Sequence, residues 1–307
     1  MRFLDAASPG VAGRRCTALL VSSILLCALT GCLVRHRSKI PAAAQSAPVW
    51  KTASLRELLE SIQSRQDAIH TLDATATIEP SVSFPSKGEI VHYRDVRTFI
   101  MIREPAHVRM IGLYPVVENK AFDMTSDGET FKLFIPSKNR FIIGKTGKER
   151  TAKASLENLR PEVILDALLL KGPAPGREQA VLESFSEQGT GYYIIHIIRT
   201  LAGQPPVLAR NIWIDRQSLV IVRLEMFDDE GEEITDVLYG NYAPVSGISY
   251  PRELIIDRPK DLYGLHLTIT GLQLNQPLSD DKFALEQPAG TELIDADRSL
   301  AAAEEGK

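Results

Sequence analysis

The stretch Phe131–Lys145 reads FKLFIPSKNRFIIGK. Two runs of mostly apolar residues, Phe131–Ile135 and Phe141–Lys145, stand on either side of Pro136-Ser137-Lys138-Asn139. Short runs of β-branched and aromatic residues indicate strands, and a cluster of Pro, Ser and Asn between two such runs indicates a tight turn. The stretch therefore predicts a β-hairpin, which is the repeating unit of an antiparallel meander.

The same pattern extends outward in both directions from this hairpin. Turn residues recur at Glu104-Pro105, at Asp127-Gly128 and at Asp228-Asp229-Glu230-Gly231. Together the runs predict roughly ten to twelve strands in a mainly antiparallel sheet. The other predicted strands are Ile90–Arg103, Val108–Leu113, Ala121–Thr125, Ala180–Ser186, Tyr192–Arg199, Leu208–Asp215, Leu219–Phe227, Glu233–Tyr242, Tyr250–Asp257 and Leu262–Leu274.

A helix is predicted before the first strand. Ser54-Leu55-Arg56-Glu57 has the form of a capping box, in which the Ser and Glu side chains satisfy each other's backbone N–H groups. The helix should run to about His70, and its apolar residues fall on one face at helical spacing, so that face packs against the sheet. These residues are Leu55, Leu58, Leu59, Ile62 and Ile69.

A second helix interrupts the strands in the middle of the chain. Pro161 suits a first helical turn, and Gly172-Pro173 ends the pattern. Its apolar stripe consists of Ile164, Leu165, Leu168 and Leu169. Such a stripe belongs either to a plain core helix or to a movable lid over a cavity, and the pattern leaves both open. Strands with two main helices predict an α+β domain or an open barrel.

Composition and charge exclude several classes of function. The 307 residues are 44% apolar and carry 35 Lys and Arg against 39 Asp and Glu, so the whole chain has no basic footprint for nucleic acid. The six histidines never approach metal-ligand spacing, and we find neither a nucleophile elbow nor a phosphate-binding glycine loop. We therefore expect no catalytic residue, no metal and no cofactor.

The first 32 residues carry an export signal. Arg14-Arg15 precedes the apolar run Cys16–Leu29, which is too short to span a bilayer comfortably as a helix. Leu29-Thr30-Gly31-Cys32 resembles the bacterial lipobox, in which cleavage precedes a cysteine that carries lipid. The resemblance implies a lipoprotein signal peptide over residues 1–31 and a lipid anchor on Cys32, with Leu33 favouring delivery to the outer membrane. The alternative is an ordinary signal whose cysteine has no role.

Beyond the cysteine, composition predicts the domain organisation. Residues 32–50 include a stretch rich in Ala, Pro, Gln and Ser, which reads as a flexible tether. Residues 51–290 contain all predicted helices and strands and form one domain. Residues 291–307 read as a polar tail, which we expect to be disordered.

The closing part of this domain resembles a known family. It contains Tyr250-Pro251-Arg252, Asp257-Arg258-Pro259, Leu265–Thr270, Asn275-Gln276-Pro277-Leu278 and Asp281-Lys282-Phe283. With a leading amphipathic helix, antiparallel strands and a mid-chain helix, the segment Leu55–Pro288 is similar to the LolA/LolB-like lipoprotein carriers. The resemblance implies an unclosed β-barrel of about eleven strands, lidded by helices, around an apolar cavity that holds acyl chains.

The resemblance also assigns candidate site residues. A membrane or cargo loop is expected at Ile111–Val117, where Leu113, Tyr114, Val116 and Val117 are mostly apolar; the alternative is that these side chains fill the core. The helical stripe described above would line the lid and the cavity. The leading hypothesis is thus a lipid-anchored, periplasm-facing lipoprotein that holds or inserts an acylated ligand or lipoprotein, with a periplasmic carrier protein as a further implied partner. The alternative is a non-catalytic scaffold lipoprotein with a filled barrel.

Overall fold

The computed structural model describes residues 49–84, 87–116, 118–147, 160–200 and 203–297. The chain divides into residues 1–47 and residues 48–307, and all described residues lie in the second unit. The second unit contains a continuous hydrophobic core of its own, so we expect a segment comprising residues 48–307 to fold by itself.

The described residues form two α-helices and seventeen strands. The helices are α1 (Leu55–Asp67) and α2 (Pro161–Leu169). The strands are β1 (Thr71–Phe84), β2 (Glu89–His92), β3 (Val96–Arg103), β4 (His107–Leu113), β5 (Lys120–Ser126), β6 (Thr130–Ile135), β7 (Arg140–Lys145), β8 (Glu178–Glu187), β9 (Thr190–Arg199), β10 (Val207–Asp215), β11 (Ile221–Phe227), β12 (Glu233–Gly240), β13 (Ala243–Val245), β14 (Ile248–Tyr250), β15 (Glu253–Arg258), β16 (Tyr263–Leu274) and β17 (Glu292–Asp295).

The predicted capping box starts α1. The backbone N–H of Ser54 donates to Oε2 of Glu57 at 2.7 Å, and the backbone N–H of Glu57 donates to Oγ of Ser54 at 3.3 Å. The backbone N–H and the hydroxyl of Ser54 both donate to the Glu57 carboxylate, which stabilises its ionised form and lowers its pKa. The helix ends at Asp67, slightly earlier than the sequence predicts.

The strands form one open sheet, as the predicted unclosed barrel requires. Its order is β17-β7-β6-β5-β4-β3-β1-β16-β15-β12-β11-β10-β9-β8, with β2 paired to β1 and with β13 and β14 forming a separate hairpin. The expected count of about eleven strands is wrong, because the described residues contain seventeen. Part of the excess comes from short additions such as β2, β13, β14 and β17.

One of these additions splits a predicted strand. The sequence predicts a single strand over Ile90–Arg103, but the chain forms β2 and then β3. Both pair with β1: β3 along its first half, up to Ile78, and β2 along its last residues, from Ser81. The strand is therefore interrupted where β1 changes its partner, and hydropathy alone carries no signal for such a change.

The centre of the sheet is the pairing of β1 with β16. These strands join the first half of the chain to the second, with Ala76 opposite Ile269 and Ile78 opposite Leu267. Buried and less buried residues alternate along β1, as expected for a strand with one face on the core. The apolar side chains of this inner face, including Leu72 and Ala74, belong to the hydrophobic core.

The C-terminal segment covers the outer face of β3–β7. Nη1 of Arg109 donates to the backbone carbonyl of Ala284, and Oγ1 of Thr125 donates to that of Phe283 at 2.8 Å. Asp123, whose side chain is fully buried beneath, accepts two hydrogen bonds from Arg109 at 3.0 Å. The segment then forms β17, parallel to β7, so the ordered chain extends into the region that the sequence assigned to a disordered tail.

Candidate functional site

Helix α2 fills the space inside the open barrel. The four residues of its predicted lid stripe, Ile164, Leu165, Leu168 and Leu169, retain between 1% and 6% of their exposure. Val163, Ala167 and Leu170 are buried as well, so the helix is apolar on nearly every side. The stripe therefore belongs to the core in this closed arrangement, and whether it also acts as a movable lid stays a prediction.

Two buried tyrosines hold the C-terminal end of α2. The hydroxyl of Tyr239 donates to the carbonyl of Ala167 at 3.0 Å, and that of Tyr250 donates to the carbonyl of Leu168 at 2.6 Å. The last carbonyls of a helix have no partner within it, so these hydroxyls satisfy groups that burial would otherwise leave unpaired. Burial raises the pKa of both tyrosines, and they remain neutral donors.

An ion network holds the other end of α2. Arg160, immediately before the helix, contacts Asp261 with Nη2 and Oδ1 3.0 Å apart. Arg258 contacts the same carboxylate at 2.6 Å and donates to Oγ1 of Thr235. Arg258 and Asp261 are buried, and breaking such a network is costly. The N-terminal end of α2 is thus held by charges, whereas its C-terminal end is held by two neutral hydrogen bonds.

Two cavities next to the helices are small. One of about 240 Å³ lies under α1, and another of about 190 Å³ lies beside the end of α2. Both volumes fall below the usual range for small-molecule sites, about 300–1,000 Å³. With α2 in place, neither cavity has room for a complete acyl chain.

The cavity under α1 contains residues that the sequence reading missed. Its polar wall is formed by Ser61 and Arg65 of α1 together with Ser249 of β14. A signal for Arg65 was present, because the apolar stripe of α1 skips one turn between Ile62 and Ile69. The residue that fills this gap on the inner face is the arginine. For Ser249 we find no sequence signal, since only tertiary packing brings β14 to the helix.

The predicted membrane loop is only partly exposed. Leu113 is the last residue of β4 and is half-buried, and Tyr114 packs against the core. Val116 retains 98% of its exposure and has a positive φ of 76°, which places it at the tip of the turn. Val117 lies outside the described residues. Tyr114 thus joins the core and Val116 is exposed to solvent, and contact of this loop with a membrane or cargo stays a prediction.

The remaining predictions concern the lipid anchor and metal binding. Cys32 and the predicted signal peptide lie outside the described residues. Within the described ranges, no helix is both long and apolar enough to span a membrane. In the same part of the chain, no group of three or more His, Cys, Asp or Glu side chains is placed to hold a metal ion.

Comparison with known proteins relates this architecture to solved structures. A LolA superfamily protein from Nitrosomonas europaea matches with a TM-score of 0.51 and 13% identity, over 76% of this chain and 99% of that one. A DUF1329 family protein from Desulfovibrio piger matches with a TM-score of 0.51 and 12% identity, over 76% and 98% of the two chains. An outer membrane lipoprotein-sorting protein domain from Vibrio parahaemolyticus gives 0.45 and 13%, over 73% and 95%.

These likenesses concern the fold. No family model and no curated protein matches the sequence. At identities this low, structural similarity shows a shared fold and leaves the activity open. This chain shares its fold with the LolA superfamily protein, so the resemblance to LolA/LolB-like proteins found in the sequence is confirmed at the level of the fold.

The first prediction concerns Asp166, a partly buried carboxyl group on α2. Burial raises its pKa above the ordinary value of 3.8, although Lys171 and Arg210 act in the opposite direction. The folded protein thus holds this proton more tightly than the unfolded chain does. Its stabilising contribution is full below pH 3.8 and is lost as the pH rises through the folded-state pKa.

Asp166→Asn should therefore stabilise the protein at neutral pH and leave it nearly unchanged in acid. The measurement is the free energy of urea unfolding at about pH 4 and about pH 8. Asp95→Asn, at an exposed position, is the matched control and should change stability little at either pH. An equal effect of Asp166→Asn at both pH values would contradict the assignment.

Proposed function

We propose that this protein is a lipid-anchored lipoprotein of the outer membrane that takes an acyl chain or a lipoprotein into its barrel and passes it on. The observation that carries the proposal is an apolar helix buried inside an unclosed barrel. The shared fold with the LolA superfamily supports it. The proposed role requires binding and release and no catalytic group, so we expect no enzymatic activity.

The free energy of exposing the buried side chains of α2 is similar to the free energy gained by burying an acyl chain in their place. Six buried apolar residues would lose their contacts on displacement: Val163, Ile164, Leu165, Leu168 and Leu169 of α2, and Leu170, which follows it. At about 2 kcal/mol each, exposing them costs about 12 kcal/mol. A palmitoyl chain gains about the same by leaving water, at roughly 0.8 kcal/mol per CH₂. The exchange of helix for acyl chain is therefore close to balanced, as reversible loading demands.

The contacts at the two ends of α2 indicate which end of the helix moves away from the sheet. The ion network at Arg160 holds the N-terminal end, so we place the pivot there. The helix itself is held at its C-terminal end by the hydrogen bonds from Tyr239 and Tyr250, and the segment that follows by a hydrogen bond from Arg210 to the carbonyl of Gly172. Beyond it, the backbone N–H of Gly172 donates to Oε1 of Gln66 on α1 at 3.2 Å, so opening also separates this segment from α1.

The same observation supports a second candidate. A barrel already filled by its own helix could be permanently closed and serve as a scaffold in an envelope complex. The two functions differ in whether α2 leaves its place, and that difference can be tested directly.

A disulfide between Ile62→Cys and Gly172→Cys should lock the C-terminal end of α2 to α1. A Cβ built on Gly172 lies 3.6 Å from Cγ2 of Ile62, so side chains at these two positions are in van der Waals contact. All three native cysteines precede residue 33, so residues 48–307 contain no competing thiol. We expect the oxidised variant to take up a synthetic tripalmitoyl-cysteinyl peptide at least about tenfold more weakly than the reduced variant.

Native mass spectrometry of residues 48–307 reads out this uptake. The control is the single variant Ile62→Cys, which loses the same side-chain volume without forming the bond. Equal uptake by the oxidised and reduced forms would show that α2 is not the gate. If the wild type takes up no acylated peptide either, the scaffold is the better function.

The lipid anchor gives a separate prediction. Cys32→Ala removes the only atom that can carry the proposed thioether-linked lipid, so we expect the variant to move from the membrane to the soluble fraction. Fractionation and the mass of the N-terminal peptide of the wild type provide the measurement. Membrane retention of the variant, with no lipid mass on the wild type, would contradict anchoring. Cys27→Ala is the control, since it lies within the proposed signal peptide.

The loop after β4 gives a membrane-contact prediction. A charge at an exposed membrane-facing position opposes insertion into lipid, so Val116→Asp should weaken binding of residues 48–307 to vesicles of phosphatidylethanolamine and phosphatidylglycerol. Val181→Asp is the matched control, because Val181 is also an exposed valine but lies on the edge strand β8, and vesicle flotation compares the two. Equal vesicle binding by both variants would remove the loop from the proposal.

A further inference from the structure

Arg65 occupies a place on α1 where a core residue is expected. Leu58, Ile62 and Ile69 are buried on the inner face of this segment, and positions three, four and seven residues apart share a helix face. Arg65 follows Ile62 by three residues and Leu58 by seven, so it extends the same stripe. Its guanidinium carbon lies 5.1 Å from the ring centre of Tyr250, which is fully buried. The charged group is thus directed into the protein.

Among the described residues, no carboxylate pairs with this guanidinium. Its Nε and Nη2 atoms are buried from solvent, and neither has a hydrogen-bond partner in the part of the chain that the structure describes. The surroundings of Arg65 supply the ring of Tyr250 and the hydroxyl of Tyr242, which is hydrogen-bonded to the guanidinium. Both groups are neutral, and they stabilise a desolvated cation less than a carboxylate does. A buried cation is costly unless it is paired, so this arginine is suited to an anion from outside the chain.

The carboxylate of Glu57 lines the same pocket but does not fill this role. It is engaged by Ser54 in the capping box and is exposed at the start of α1. Eight residues separate it from Arg65, or about 12 Å along the helix axis. Glu57 therefore lies near the mouth of the pocket, two turns away from the guanidinium.

The rest of the pocket is apolar. Its volume is about 240 Å³, and the larger part of its wall consists of aliphatic side chains from α1 and the facing strands. These include Leu58, Ile62, Ile214, Leu219, Ile221 and Ile248. A cation in an apolar wall matches a ligand that carries an anionic head on an alkyl chain. The head can contact the guanidinium while the alkyl chain packs against the aliphatic side chains.

We infer that this pocket binds the carboxylate head of a single-chain fatty acid, with Arg65 as the partner of the carboxylate. A guanidinium presents paired N–H groups that match the two oxygens of a carboxylate. The inference rests on the proposed function, because the pocket holds only the head and the beginning of the alkyl chain. Tyr250 contacts both Arg65 and the carbonyl of Leu168, so the remaining chain follows this tyrosine to the place of α2.

The test compares three probes on residues 48–307 by isothermal titration: decanoate, decanol and acetate. We expect decanoate to bind at least about tenfold more tightly than decanol, and acetate to show no binding. Arg65→Gln should weaken decanoate binding by about tenfold or more and leave decanol binding unchanged. Arg65→Lys keeps the charge and should restore most of the preference.

Arg56→Gln provides the matched control, because Arg56 lies on the same helix with 85% of its side chain exposed. Thermal unfolding of each variant checks that the fold is intact. Equal binding of decanoate and decanol to the wild type would overturn the inference, and so would acetate binding as tight as that of decanoate. If Arg65→Gln leaves the preference for decanoate over decanol unchanged while the tripalmitoyl peptide still binds, the head-group site is wrong and the carrier function stands.

Discussion

An open sheet has to cover its concave apolar face with something other than itself, and this constraint governs the whole domain. The sheet runs from β8 to β17 without closing, and its inner face carries the side chains of the core. In this protein α2 supplies the cover. A helix used in this way competes with any other apolar object that fits the same space. In the proposed function, stability of the closed barrel and affinity for an acyl chain are therefore opposed properties of one surface.

Local signals in the sequence were enough for much of the fold. The hairpin around Pro136–Lys138 forms as predicted, and Ser54 and Glu57 form the capping box, because each depends on residues close together in the chain. Hydropathy also indicates α2 and most strands. The pairing of β17 with β7 and the split of β2 from β3 depend on distant partners, and no short pattern encodes them.

For the candidate site, the sequence identified residues but not their arrangement. The stripe of α2 is visible as a pattern, yet only the packed structure shows that the helix fills the barrel. Arg65 was hidden because a charged residue in an amphipathic helix is ordinarily assigned to the solvent face. Its position in the stripe, together with the tyrosines of β12 and β14, gives it a different environment. The pairing of a cation with an apolar pocket is therefore a tertiary property.

The pairing of β1 with β16 also constrains when the domain can fold. Oγ1 of Thr270 donates to the carbonyl of Thr75, two residues that are 195 positions apart. Contacts of such high sequence separation slow folding, because most of the chain must be present before they form. A polypeptide emerging from a ribosome or a translocation channel thus has β1 without its central neighbour until nearly the last strand has appeared. The central pairing of the sheet therefore forms late in synthesis, as the proposed export across a membrane would require.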